Sequence, residues 1–189
     1  PRCSSSLTTR LATWTVTYRA DGSALVSRED PTRGVTQTLV RDRLGREVWG
    51  SDARAGQELA RWKIEYQADG TAQVTLWNLL QPGSRQELER DSLGREIAGE
   101  AWLEAQPLAR WTIAYAPDGS AVVTREDLLR PGITQTLQRD RLGRERSGTE
   151  ALNGQALSTW TVTEAPDGTS TMTITDLARG TTRVLERDA

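Results

Sequence analysis

The side chains of this chain that could do chemistry are carboxylates and guanidinium groups, and they are clustered at three places with the same spacing. One nine-residue pattern, Leu-x-Arg-Asp-x-Leu-Gly-Arg-Glu, occurs at residues 39–47, 88–96 and 137–145. Two neighbouring carboxyl groups could act as a general acid and a general base. We nevertheless expect no enzyme activity, because pairing with arginine across a hairpin would neutralise each carboxylate and because catalytic sites are seldom triplicated.

The composition excludes several other kinds of site. The 189 residues include no histidine and a single cysteine, Cys3, and the chain has a net charge of −2. Imidazole metal ligands and Ser-His-Asp triads are therefore excluded, and non-specific nucleic-acid binding is disfavoured because it needs a basic surface. No apolar run approaches the ~18 residues of a membrane helix, so we predict no membrane span. The chain begins at Pro1 without a methionine, which leads us to expect that an upstream segment has been removed.

A second set of carboxylates recurs in Ala-Asp-Gly and Pro-Asp-Gly segments, at Asp21, Asp69, Asp118 and Asp167. They could be read as a ladder of calcium sites, but a calcium loop needs further oxygen donors at alternate positions, which these segments lack. Turn geometry accounts for these aspartates without a metal. We therefore predict no metal site and no cofactor.

The elements that position these side chains are hairpins. Asp at the first position of a type I turn and Gly at its fourth is the chemistry of a hairpin with a glycine bulge. The residues predicted to define the turns are Asp42, Gly45, Asp91, Gly94, Asp140 and Gly143 in one set and Gly22, Gly70, Gly119 and Gly168 in a second set. In the first turn Asp42 would lie opposite Arg46, and Arg41 opposite Glu47, as two pairs of opposite charge.

Four tryptophans set the larger period of the chain. Trp14, Trp62, Trp111 and Trp160 are spaced 48, 49 and 49 residues apart, and each opens a segment in which apolar and polar residues alternate. This alternation predicts a half-buried strand whose tryptophan belongs to the core. The third strand of the first unit is predicted at residues 35–41 and the fourth at residues 46–50, followed by a polar stretch.

The chain is therefore predicted to be one repeat domain, residues 1–189, of four units with two hairpins each. The units span about 14–61, 62–110, 111–159 and 160–189, and residues 1–13 complete a partial unit. The predicted fold is all-β, a continuous curved antiparallel sheet or β-solenoid. A four-bladed β-propeller is the alternative; it is disfavoured because blades are stacked on both faces, whereas the first strand offers Thr15 and Thr17 to its second face.

The turns resemble the tyrosine-aspartate (YD) or rearrangement-hotspot (RHS) repeats, whose core reads Tyr-Asp-x-x-Gly-Arg. Residues 41–46 match this core in all but the tyrosine, and residues 18–22 supply a tyrosine but lack the aspartate that follows it. The resemblance implies a β-hairpin ribbon that spirals, as in the shells around bacterial toxins and in large cell-surface proteins. It also implies an extracellular or cell-surface location.

Three further tryptophans, Trp49, Trp77 and Trp102, lie outside the repeated position. The shared packing of a repeat does not explain them, so we predict that they form a surface contact. Aromatic rings on a sheet can stack sugars, which makes a glycan one candidate ligand and a protein another.

The two ends of the sequence are predicted to be complementary. The fourth copy of the nine-residue pattern stops at Ala189 after its third strand, and the register places residues 1–3 at the positions of residues 49–51, inside a fourth strand. The residues predicted to join subunits are Cys3, Leu7, Leu11, Val184, Leu185, Arg187 and Asp188. Strand addition between copies would give a head-to-tail structural filament. A closed ring that displays a glycan- or protein-binding surface and a segment of a longer repeat protein are the alternatives.

Overall fold

The computed structural model describes residues 12–187, which form fifteen antiparallel strands in a single sheet. The strands are β1 Thr13–Tyr18, β2 Ala24–Asp30, β3 Val35–Arg41, β4 Glu47–Arg54, β5 Gln57–Tyr66, β6 Ala72–Asn78, β7 Ser84–Arg90, β8 Glu96–Leu103, β9 Gln106–Tyr115, β10 Ala121–Asp127, β11 Ile133–Arg139, β12 Glu145–Leu152, β13 Gln155–Glu164, β14 Ser170–Asp176 and β15 Thr181–Arg187. The predicted all-β class is therefore confirmed. No segment of the described chain is a helix that is long and apolar enough to cross a membrane.

Within the part of the chain that the structure describes, the sheet is a meander that is open at both edges. Each strand pairs with the strands before and after it in sequence and contacts no other strand, so β1 and β15 do not meet within residues 12–187. The alternative prediction of a four-bladed β-propeller is wrong. Propeller blades are separate four-stranded sheets, whereas here the fourth and fifth strands are paired from Trp49 opposite Lys63 to Arg54 opposite Gln57.

One hairpin in each group of four strands was not predicted. The fourth strand was expected to end at Gly50, but β4 continues to Arg54 and turns tightly into the ten-residue strand β5. Ala55 and Gly56 in this turn have φ values of 49° and 80°. Two positive φ values are typical of the two-residue turn that best matches the twist of antiparallel strands. The polar stretch that was predicted to follow Gly50 is therefore strand.

The buried apolar side chains lie on one face of the sheet, which we name the core face. Residues that pair directly across strands share a face, and side chains alternate along each strand. Ile64 pairs with Val74, and Val74 pairs with Leu88. These three residues and Ala72 form a buried cluster in which Val74 is 2% exposed. Because the sheet is a single layer, this core is thin, and no polar or charged residue of the described chain is buried.

The other side of the sheet, which we name the opposite face, is mainly polar. In β9 to β15 one row across the strands, the threonine ladder, has the same residue type in every strand. Its members are Thr112, Thr124, Thr136, Thr149, Thr159, Thr175 and Thr182. Seven adjacent strands therefore present the same hydroxyl and methyl groups at the spacing between strands, about 4.8 Å.

Candidate functional site: a repeated aspartate, arginine, glutamate and tryptophan contact

The nine-residue pattern forms a turn that is held by its aspartate. The N–H of Asp42 donates to the carbonyl oxygen of Arg46 at 2.8 Å, and the N–H of Gly45 donates to the carbonyl oxygen of Asp42 at 2.9 Å. Asp42 Oδ1 also accepts from the N–H groups of Leu44 and Arg46, both at 2.9 Å. Gly45 has a φ of 78°, the left-handed conformation that the Asp-x-Leu-Gly pattern predicts. The hydrogen bonds that form this turn therefore all lie within five consecutive residues, 42–46.

The predicted turn residues of the other copies have the same backbone. Gly94 and Gly143 have φ values of 79° and 77°. In the second set of turns φ is 83° at Gly22, 87° at Gly70, 86° at Gly119 and 88° at Gly168. In each of these second-set turns, the aspartate before the glycine accepts a hydrogen bond from the backbone N–H of the residue after the glycine. For example, Ser23 N–H donates to Asp21 Oδ1 at 2.9 Å.

The arginine of the pattern forms an ion pair with the same aspartate. Arg46 Nε donates to Asp42 Oδ2 at 2.9 Å. Desolvation acts to raise the pKa of Asp42, but hydrogen bonds from the Arg46 side chain and from backbone N–H groups outweigh it and lower the pKa below its ordinary value. In the third copy Asp140 has one more partner, because Arg146 Nη2 lies 2.7 Å from its Oδ2, and the pKa of Asp140 is lowered further. These carboxylates are therefore ionised acceptors and poor general bases at neutral pH.

The same arginine also contacts the strand that follows the hairpin. The Arg46 guanidinium lies 4.3 Å from the ring centre of Tyr66 at the end of β5. In the second copy Arg95 lies 4.5 Å from the ring centre of Tyr115. The third copy has Glu164 in place of this tyrosine, and its carboxylate pairs with Arg144 of the turn. Cation–π stacking and an ion pair thus fill the same position, and each ties the turn to the next strand.

The glutamate of the pattern binds a tryptophan. Glu47 was predicted to pair with Arg41, and the two residues are directly opposite in the register. The predicted charge pair is wrong, because the Glu47 carboxylate accepts the indole N–H of Trp62 and no ion pair joins it to Arg41 within residues 12–187. In the second copy the indole N–H of Trp111 donates to Glu96 Oε1 at 2.6 Å. The third copy has the same bond between Trp160 and Glu145.

The indole of each of these tryptophans lies over a glycine of the preceding strand. Gly99 pairs directly with Trp111, and a Cβ atom at Gly99 would lie 2.5 Å from Trp111 Cζ2. The same conflict would arise at Gly50 beneath Trp62 and at Gly148 beneath Trp160. Only glycine leaves room for the ring, so this glycine, the glutamate and the tryptophan form one contact, which we name the tryptophan clasp.

Trp14 departs from the other three repeated tryptophans and corrects the prediction that all four belong to a buried core. Its side chain is 57% exposed, whereas Trp62, Trp111 and Trp160 are partly buried. The physical reason is its position in β1, an edge of the described sheet, where no strand within residues 12–187 offers it a clasp.

The tryptophans predicted to make a surface contact all lie on the opposite face and are partly buried. Trp77 and Trp102 flank Arg85, which is paired directly with both. The Arg85 guanidinium lies 4.5 Å from the ring centre of Trp102, and its Nε donates to Glu87 at 2.9 Å. The indole nitrogen of Trp102 is buried and has no hydrogen-bond partner among residues 12–187. Trp49 is separate from this row, since it pairs with Val40 and Lys63.

The residues predicted to join subunits are only partly described. Val184 and Leu185 are 59% and 41% exposed, and they lie with Arg187 in the edge strand β15. Cys3, Leu7, Leu11 and Asp188 lie outside the described residues.

No protein-family model matches the chain, and no curated protein matches it in sequence. Among solved structures, a porin-like protein from Bacteroides uniformis is similar at 11% sequence identity, over 93% of this chain and 94% of that chain, with a TM-score of 0.33.

Proposed function

We propose that this chain is a non-enzymatic structural protein of four repeat units that assembles head to tail by adding strands at the open edges of its sheet. The observation that carries the proposal is the state of the two edges. Within residues 12–187, β1 and β15 each pair with one neighbour, and every residue of β15 is exposed. An edge strand offers a row of unpaired N–H and C=O groups, which is a template for another strand.

The contacts of the repeated motif support a structural role. Asp42, Arg46 and Glu47 are all engaged in holding one strand to the next, through the turn, Tyr66 and Trp62. A catalytic carboxylate needs access to a substrate and a pKa near the working pH. Asp42 and Glu47 are both occupied by contacts within the sheet, and the pKa of Asp42 is lowered rather than raised. In the proposed assembly, residues 3–11 of one copy pair with β15 of the next, which continues the curved sheet or solenoid.

The resemblance of residues 41–46 to YD repeats supports an extracellular or cell-surface assembly. The same resemblance supports an alternative in which this sheet is part of the shell of a larger RHS-type surface or toxin protein. A second candidate function is glycan or protein binding on the open sheet, favoured by the row of Trp77, Arg85 and Trp102 on the opposite face. The closed repeat domain expected for this function is not formed within residues 12–187, where β1 and β15 do not meet. Stacking of a sugar on Trp102 would first require Arg85 to leave its ring.

Light scattering over a concentration series tests the proposal. We expect the average mass to rise continuously with concentration, because addition at an edge leaves a new edge. Two single-proline variants at adjacent positions, Arg183→Pro and Val184→Pro, make the test more specific. Neighbouring residues of an antiparallel strand direct their N–H groups to opposite sides, so one proline blocks the outer edge of β15 and the other breaks its pairing with β14.

The melting temperatures of the two variants show which proline blocks the outer edge of β15 and which one breaks its pairing with β14. The variant that melts like the wild type should stop growth, and the variant that melts earlier is the control for lost pairing. Deletion of residues 1–11 should also stop growth and leave the inner strands folded, because each strand contacts only its neighbours. A wild-type mass of one chain at every concentration, or growth that persists in the well-folded proline variant, would overturn the proposal.

A further inference from the structure

We infer that the threonine ladder is a docking surface for a second copy of this chain, with the two opposite faces packed against each other. This contact is independent of strand addition at the edges. The sheet has no second layer within residues 12–187, and sheets in stable domains usually bury at least one face against another element. The core face is partly covered by its own aromatic rings, whereas the opposite face has only short side chains along the ladder.

The first argument is charge. The row beside the ladder is also uncharged in β12 to β14, where Ser147, Thr161 and Thr173 are paired across the strands. The nearest charges on this part of the opposite face lie at its rim, where Arg110 and Glu126 bond each other at 2.8 Å. Covering the ladder therefore desolvates hydroxyl and methyl groups but no unpaired charge.

The neighbouring part of the same face differs in this respect. In β5 to β8 the corresponding positions hold Lys63, Glu87 and Glu100, and the two glutamates are directly opposite each other. A partner that covered these residues would have to desolvate them. A second hydroxyl row, Thr15 to Ser51, crosses only β1 to β4 and offers about half the width of the ladder.

The second argument is the match of size and shape. Seven strands about 4.8 Å apart, with three side chains of one face about 7 Å apart in each, cover roughly 600 Å². Two copies would then bury on the order of 1,200 Å², the lower end of the range for specific interfaces. Identical short side chains at one spacing also allow two sheets to approach closely and interdigitate.

At the β14–β15 end of the opposite face, some threonine hydroxyls bond within their own sheet. The Oγ1 atoms of Thr175 and Thr182 lie 3.4 Å apart, and Thr163 Oγ1 donates to the carbonyl oxygen of Thr171 at 3.4 Å. Where the hydroxyls bond in this way, as at Thr175 and Thr182, the methyl groups are left to meet the partner. A two-fold axis through the ladder places the same uncharged surface on both sides, which makes the second copy the occupant that fits it best.

Charge substitution at the centre of the ladder tests the inference. Thr149 is the fourth of the seven threonines, so two copies related by a two-fold axis bring their residues 149 close together. We expect Thr149→Lys and Thr149→Glu each to weaken pairing at least tenfold when alone, and an equimolar mixture of the two to restore it. Thr75→Lys is the matched control, because Thr75 lies on the same face in β6, outside the ladder.

Sedimentation velocity in the edge-blocked proline variant separates this contact from edge growth, because face pairing stops at two copies. Pairs in that variant that are lost in each Thr149 variant and recovered in the mixture would support the inference. A single-copy mass for the edge-blocked protein, or pairing equal in Thr149→Lys and Thr75→Lys, would overturn it. Should Thr149→Lys not fold, as judged by circular dichroism, Thr161→Lys and Thr161→Glu replace the pair in the adjacent row.

Discussion

Replacing Gly99 with alanine should destabilise this protein. In the middle of an ordinary strand the same change stabilises a protein by about 0.5–1 kcal/mol, because alanine loses less conformational entropy on folding than glycine does. The φ of Gly99 is not in the left-handed region, so an alanine meets no backbone strain. Its Cβ would instead lie 2.5 Å from Trp111 Cζ2 and 2.8 Å from Leu88 Cδ2. The indole must therefore leave its place over residue 99.

The expected magnitude follows from what that movement breaks. The hydrogen bond from the Trp111 indole to Glu96, 2.6 Å long, is lost, and a bond to a charged group contributes about 1.5–3 kcal/mol, toward the lower value at this partly exposed site. Overpacking adds about 1 kcal/mol or more, and the alanine returns up to about 1 kcal/mol. The net loss is about 2 kcal/mol, or a melting temperature lower by about 4–8 °C for a chain of this size.

Urea denaturation followed by far-UV circular dichroism measures this loss, and a double-mutant cycle with Trp111→Ala identifies its cause. Without the indole, the atom nearest to the new methyl group is Leu88 Cδ2, the end of a flexible side chain, so Gly99→Ala should cost much less than it does in the wild type. Equal stability of Gly99→Ala and wild type would refute the clasp as a source of stability. An equal loss in both backgrounds would show that Trp111 is not what the methyl group meets.

Three further outcomes are expected. Trp14→Ala should cost less than about 1 kcal/mol and Trp111→Ala about 3 kcal/mol, because only the latter loses a packed indole; similar costs in urea denaturation would contradict the exposed position of Trp14. Gly45→Val should cost at least ~1–2 kcal/mol, since valine resists a φ of 78°, while Arg43→Ser in the same turn should be nearly neutral, and melting curves that rank them otherwise would count against the turn geometry. Asp140→Asn should flatten the fall of stability below pH 4: the folded-state pKa of Asp140 lies below its ordinary value of 3.8, so its contribution is complete above that value and is lost on acidification, and unchanged pH dependence in urea titrations would exclude this role.

The parts of the fold that could be predicted from sequence are those set by neighbouring residues. The turn from Asp42 to Gly45 needs one aspartate and one glycine at fixed positions, and the alternation after Trp62 needs only a strand with one wet face. The turn at Asn153-Gly154 also has a strong local signal, because Asn-Gly favours the two-residue hairpin. Ala55-Gly56 has a weaker signal, since alanine seldom adopts positive φ, and that hairpin could be inferred only by analogy with residues 153–154.

The tryptophan clasp could not be derived from local patterns. Glu47 has an arginine directly opposite it, so charge alone predicts the wrong partner; its actual partner, Trp62, is 15 residues away and is brought near only by the unpredicted turn. The sequence does contain a trace of the contact. Each clasped tryptophan has a glycine twelve residues before it and a glutamate fifteen before it, and a recurring glycine inside a strand indicates close approach of another group.

Recurrence within this chain therefore reports on packing, and departures from it are the better guide to function. Asp42, Gly45, Arg46, Glu47 and their later copies recur because the turn, the stacked tyrosine and the clasp each need those residue types. The opposite face is free of these constraints, and there the copies diverge. The positions that hold glutamate in β7 and β8 hold threonine in β11 and β12, although either residue suits an exposed strand position. Packing does not require these changes, and with them threonine occupies one row in all seven strands from β9 to β15. The inferred contact of that row with a second copy would account for them.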